Sequence, residues 1–167
     1  GFYNRYDDFI DTVVVGTTGG GLTQFQYTNL SKVTIYGAEA SGEWRITPNW
    51  SIRGSAAYAH GEDEDTRLPI DSIDPFRVVG GLRYADTGGR WGGEVTVTHA
   101  WRHARVSSAA FFRAPAYTVV DITAHYEVRP DFTVNVGIFN LTDERYFLTQ
   151  DVVGLAANSA LRDLYSQ

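Results

Sequence analysis

Along most of this chain polar and apolar residues alternate one for one, the period of a strand whose side chains point in turn to opposite faces. In TVNVGI (133–138), Val134, Val136 and Ile138 take one face and Thr133, Asn135 and Gly137 the other. The alternation recurs in about seven runs, near 2–12, 25–46, 50–60, 76–85, 91–104, 117–128 and 132–141. None carries the three-and-four spacing of an amphipathic helix, so the pattern predicts an all-β, antiparallel chain.

The two faces differ in kind. In the second run Tyr36, Ala38, Ala40, Trp44 and Ile46 oppose Glu39, Ser41, Glu43 and Arg45; in the third, Trp50, Ile52, Ala56 and Tyr58 oppose Ser51, Arg53 and Ser55. The fourth sets Phe76, Val78, Leu82 and Tyr84 against Arg77 and Arg83, and the fifth Trp91, Val95, Val97 and Trp101 against Glu94, Thr96, Thr98 and Arg102. In the sixth, Val120, Ile122, Ala124, Tyr126 and Val128 oppose Asp121, Thr123, His125 and Glu127. Apolar faces that are aliphatic in the middle and aromatic at the ends are the girdle pattern of a lipid-facing wall. The expected girdle is Tyr36, Trp44, Trp50, Tyr58, Phe76, Tyr84, Trp91, Trp101 and Tyr126. The expected lumen-facing polar set is Glu39, Glu43, Arg45, Arg53, Arg77, Arg83, Glu94, Arg102, Asp121 and Glu127.

Connections alternate short and long. TPN (47–49), DTGGR (86–90) and RPD (129–131) read as tight hairpin turns, whereas 11–24, 61–75, 104–116 and the tail 142–167 read as long loops. Short turns at one end and long loops at the other fit an outer-membrane barrel, with the long loops extracellular. Such barrels close with an even number of strands, so seven strands predict that residues 1–167 are one part of a larger transmembrane β-barrel.

Composition agrees. The 167 residues include 17 Gly, 10 Tyr, 9 Phe and 4 Trp, with no Cys or Met. Absence of cysteine removes disulfides, thiolate metal sites and thiol catalysis. A net charge of −6 argues against nucleic acid as a partner. No run of eighteen apolar residues predicts a membrane-spanning helix, and the opening GFYNRYDDFI does not read as a secretory leader.

The stretches QYTNLSKVTIYGAEASGEWRI, LPIDSIDPFRVVGGLRY, APAYTVVDITAHYE and VNVGIFNLTDERYFLTQDVVGL together resemble the carboxy-terminal part of a TonB-dependent outer-membrane receptor, most of all the haem and haemoglobin receptor branch. The marks of resemblance are Asn140, Leu141, Thr142, Asp143 and Tyr146, the pair Gly37 and Glu39, and the segment from Pro69 and Ile70 to Pro75. The closing Tyr165, Ser166 and Gln167 are similar to the text that precedes the last strand of such barrels. The resemblance implies a plugged barrel of about 22 strands in the bacterial outer membrane. It also implies import of an iron carrier (haem, a haemoprotein's haem or a ferric siderophore) with energy relayed by the TonB-ExbB-ExbD complex through a plug outside this segment. It implies no intrinsic cofactor and no catalysis. A ferric-siderophore receptor is the alternative within the superfamily.

Remaining motifs are weighed on the residues. His60, at the end of the third run near the long-loop rim, is the candidate haem or iron-carrier contact. His99 and His103 are expected beside Trp101 on the outward face, and His125 in a polar lumen network. Four acids, Glu62 to Asp65, read as a solvated loop, with calcium the alternative. TTGGGL (17–22) lacks the lysine and helix of a phosphate loop. FRAP (112–115) spells a box known from haem receptors but here opens a strand, and a loop-to-strand junction is its expected role. Sequons at Asn29, Asn49 and Asn140 support a rival class, a secreted β-sandwich binding module. A barrel hydrolase, needing an inward serine beside His125, is the third reading.

Overall fold

Alternation along the chain becomes one sheet. The computed structural model describes residues 1–19 and 23–167. Its strands are β1 (Phe2–Thr17), β2 (Thr23–Arg45), β3 (Trp50–Asp63), β4 (Arg77–Ala85), β5 (Trp91–Ala100), β6 (Tyr117–Arg129) and β7 (Phe132–Ile138). They hydrogen-bond in chain order as a seven-stranded antiparallel meander. A sandwich packs two sheets face to face; the seven strands among the described residues lie in a single one.

Several boundaries differ from expectation. Residues 11–24, expected as a loop, are mostly strand: β1 and β2 stay paired out to Thr17 and Thr23. Glycines and threonines read as loop chemistry there, but backbone pairing between long strands overrides composition. Gly20, Gly21 and Leu22, expected as flexible loop, lie outside the described residues. The third run extends to Asp63, while the fifth stops at Ala100 rather than 104, and β7 stops at Ile138.

Register fixes the faces. Tyr36 pairs with His60 and Ala38 with Tyr58; Ile52 pairs with Leu82, Leu82 with Val95, Val95 with Ile122, and Ile122 with Ile138. The apolar set therefore forms one continuous face, and it is exposed: Trp44 is 70% accessible, Tyr126 50% and Ile138 57%. Aromatic rings border it at both ends. At the turn end Tyr84 lies 5.0 Å from Trp50 and 4.7 Å from Trp91. At the loop end Phe76 lies 6.5 Å from Tyr58 and 4.6 Å from Trp101, and Tyr36 lies 6.5 Å from Tyr3. Eight to ten residues separate the two rows along a strand; at about 3.4 Å per residue and a tilt of roughly 40°, the band is about 20–26 Å tall.

The opposite face carries charge. Arg53 of β3 pairs with Glu94 of β5 across Gly81 of β4. A side chain at Gly81 would run into both partners, so its absence leaves the channel through which the pair meets. Gly37 is tighter still: a Cβ there would strike the carbonyl oxygen of Tyr58 and the ring of Phe2, which accounts for glycine two positions before Glu39.

Candidate functional site

Three segments meet at the long-loop end: 64–76 between β3 and β4, 101–116 between β5 and β6, and the tail that follows β7. In the first, buried Asp63 accepts the N–H groups of Asp65 (2.8 Å) and Thr66 (3.0 Å) on one carboxylate oxygen. Its carbonyl accepts from Arg67, which sits at φ 60°. Glu62 faces Arg67 (3.3 Å) and Arg105 (3.8 Å), and Glu64 pairs with Arg5 at 2.8 Å. The acidic run expected as a solvated loop is thus a strand end and tight turn. The carboxylates of Glu62, Asp63 and Glu64 are held by protein donors, and among the described residues no cluster suited to a metal ion occurs.

Asp71 ties this segment to the next. Its carboxylate accepts the Ser107 N–H at 2.6 Å and the Ser107 hydroxyl at 2.5 Å. His103 lies beneath that tie, 6% accessible. The expectation that it shares the outward face with Trp101 is incorrect, because β5 ends at Ala100 and strand parity no longer holds beyond it. Burial pushes its imidazole below the ordinary histidine pKa, against the opposing pull of Asp71, Asp74 and the Ile73 backbone. His99 does keep the outward face, edge-on to Trp101 at 4.3 Å and bonded to Thr118.

His60 lies inside β3, three residues before its end. Its ring stacks on Tyr36 at 4.7 Å, on the aromatic face of the sheet, and contacts Arg105. His125 falls on the charged face, beside Arg83, Glu94 and Asn135.

Asn140 explains the tail. It adopts φ 52°, a left-handed conformation that asparagine tolerates. Its N–H donates to Asp121 of β6 at 2.8 Å. Its side-chain amide clasps Glu144 twice, donating to the carbonyl and accepting from the N–H, each at 2.9 Å. The Asp143 N–H closes on the Asn140 carbonyl, turning the chain back. Tyr146 then stacks on Tyr117 at 4.5 Å. These residues form a chain reversal, and the amide of Asn140 is occupied in forming it.

Beyond the reversal the tail forms α1 (Thr149–Val152) and a 3-10 turn (Arg162–Tyr165) and builds a small core from Ala114, Phe147, Val152 and Leu155. Phe112 lies edge-on to Phe147 at 5.1 Å and its N–H bonds to Leu155 O at 2.7 Å. FRAP (112–115) is therefore a junction packed under the tail. Next to it, Arg102, Arg113, Arg145 and Arg162 line a cleft with Phe112, Phe147 and Asp163. Of these, Arg102 was expected as a lumen residue, and Phe112 and Arg113 were weighed within FRAP, for which a loop-to-strand junction was the expected role. Arg145 and Arg162 were not anticipated, and the signal available for them was arginine recurring in the long-loop segments of an acidic chain.

A family model for the TonB dependent receptor-like β-barrel matches residues 1–141. The chain is 25% identical, over 175 aligned positions, to the probable hemoglobin and hemoglobin-haptoglobin-binding protein 4 of Haemophilus influenzae, covering 87% of this chain and 17% of that relative. It is 38% identical over 125 positions to the metal-pseudopaline receptor CntO of Pseudomonas aeruginosa, covering 74% and 16%. Among solved structures, the copper transporter OprC superposes with a TM-score of 0.77 at 23% identity, covering 86% of this chain and 23% of that one. The ferric enterobactin receptor PfeA of Pseudomonas aeruginosa superposes at 0.70 and 20% identity, covering 99% and 26%. These two structures speak to fold alone, and the chain spans between 16% and 26% of the length of each protein.

Proposed function

Since this chain belongs to the TonB-dependent receptor β-barrel family, we propose that it forms part of the wall and mouth of an outer-membrane active transporter for an iron carrier. Its apolar face meets lipid between the two aromatic rows. Its charged face, Glu39, Glu43, Arg45, Arg53, Arg77, Arg83, Glu94, Asp121 and Glu127, lines a wet passage and meets a plug outside this segment. Arg102, expected with this set, follows the end of β5 and borders the cleft beside the tail. The plug would receive energy from the TonB-ExbB-ExbD complex. The segments at 64–76, 101–116 and 139–167 form the extracellular mouth. The single observation that carries this reading is an exposed apolar band about 20–26 Å tall, bordered by aromatic rings at both ends.

Haem, or haem drawn from haemoglobin, is the preferred cargo, on the branch resemblance and on the similarity to a probable hemoglobin and hemoglobin-haptoglobin-binding protein. His60 fits a rim contact better than an axial ligand, since its ring is engaged by Tyr36 and Arg105. A metal-chelate cargo is the second reading, favoured by the 38% identity to a metal-pseudopaline receptor.

The test is absorbance of the full-length receptor in detergent, titrated with haem and then with ferric siderophores. A Soret shift with haem alone supports the preferred cargo. Binding of a ferric chelate without haem moves the reading to the alternative, and a receptor soluble without detergent refutes the membrane wall.

A further inference from the structure

The chain carries a net charge of −6, yet the cleft beside the tail gathers four guanidinium groups against one carboxylate. Arg102 and Arg113 come from the two ends of the 101–116 loop, Arg145 from the reversal after β7, and Arg162 from the 3-10 turn. Asp163 is shared, 3.3 Å from Arg145 and 3.7 Å from Arg162. Among the described residues no carboxylate lies within ion-pair distance of Arg102 or Arg113. Like charges that converge from separate segments repel one another, and an arriving anion relieves that repulsion. The planar guanidinium fork matches a carboxylate in two-point contact.

The walls are apolar and flat. Phe112 and Phe147 meet edge to face, and the Arg162 guanidinium lies 5.6 Å from the centre of the Phe112 ring. A guanidinium over an aromatic face is held on one side and keeps its edge donors for a ligand.

We infer that this cleft is an anion site for a small cargo bearing at least two carboxylates beside a flat or apolar body. The inference rests on the transport reading and adds to it the chemistry of recognition. Two kinds of cargo share that chemistry: haem, through its propionates, and a ferric chelate built on carboxylates.

The experiment uses the full-length receptor in detergent with three probes: haem, haem dimethyl ester (whose carboxylates are masked) and ferric citrate. Wild-type receptor should prefer haem over the ester by about ten- to a hundredfold, the range expected when a charge-assisted hydrogen-bond pair is lost. In the double variant Arg113→Gln, Arg145→Gln that preference should shrink toward unity while binding of the ester holds steady. Asp163→Asn should act in the opposite direction, tightening haem several-fold by freeing Arg145 and Arg162, a gain that misfolding does not produce. If haem fails to bind but ferric citrate binds and loses affinity in the double variant, the anion site stands and the haem reading falls. Haem binding with an ester preference that the double variant leaves intact overturns the site while the transport reading survives. Binding of neither haem nor ferric citrate overturns the site, while the transport reading is then decided by the ferric-siderophore titration.

Discussion

At the scale of single residues, the stretch from Asn140 to Tyr146 has a backbone role. Asn140 holds a left-handed turn and satisfies Glu144 with both ends of its amide. Asn140→Ala should cost the receptor about 2–3 kcal/mol, from two hydrogen bonds and the left-handed strain of a Cβ, whereas Asn140→Gly should recover roughly 1 kcal/mol of it. Thermal unfolding of the two variants in detergent checks the order; equal losses would mean that strain plays no part. Gly37 was legible as a signature in the sequence, but its cause, the Tyr58 carbonyl and Phe2 ring pressing on the space of a Cβ, belongs to neighbouring strands and is invisible in one dimension.

At the scale of elements, strands were legible because their alternation is local, while loops were not because their contacts are distant. Parity assigns two faces to each strand, and it misplaced His103 when it was carried three residues past the end of β5. The acidic run looked solvated in sequence, yet Asp63 is buried and Ile70 is 4% accessible over Gly61. His103 gives these loops a pH dependence whose sign follows from its burial. Its folded pKa is lowered, so the unfolded segment takes up a proton first, near about pH 6.5. The packing of 64–76 against 101–116 is therefore full above that pH and weakens as pH falls through the lowered value. Protection of 101–116 against hydrogen exchange in the full-length receptor, corrected for the intrinsic pH dependence of amide exchange, should fall between about pH 7 and about pH 5, and His103→Gln should flatten the profile. Corrected protection in wild type that stays constant with pH would remove His103 from that role.

At the scale of the whole molecule, the assignment of faces can be tested at two adjacent positions. Ile122 sits midway along the apolar band and Thr123 on the charged side. Ile122→Arg should destabilise the membrane-embedded receptor by roughly 2–4 kcal/mol and Thr123→Arg by well under half of that. Denaturant unfolding in lipid vesicles measures the difference, and equal costs would mean that the sheet does not have one face in lipid. The sheet was readable from sequence because strand geometry gives its two unlike faces a period of two. The arginine cleft was not, because Arg102, Arg113, Arg145 and Arg162 come together only through the fold.

The contrast between three tight turns at one end and long connections at the other bears on how such a protein changes over generations. Chain entropy charges little for length: doubling a flexible connection costs only about 0.6 kcal/mol. Each strand already finds its partner next to it in the chain. Insertions at the outer end therefore leave the pairing of the wall nearly untouched, so one inherited scaffold can trial many mouths, and lineages can diverge in diet while their walls stay recognisable.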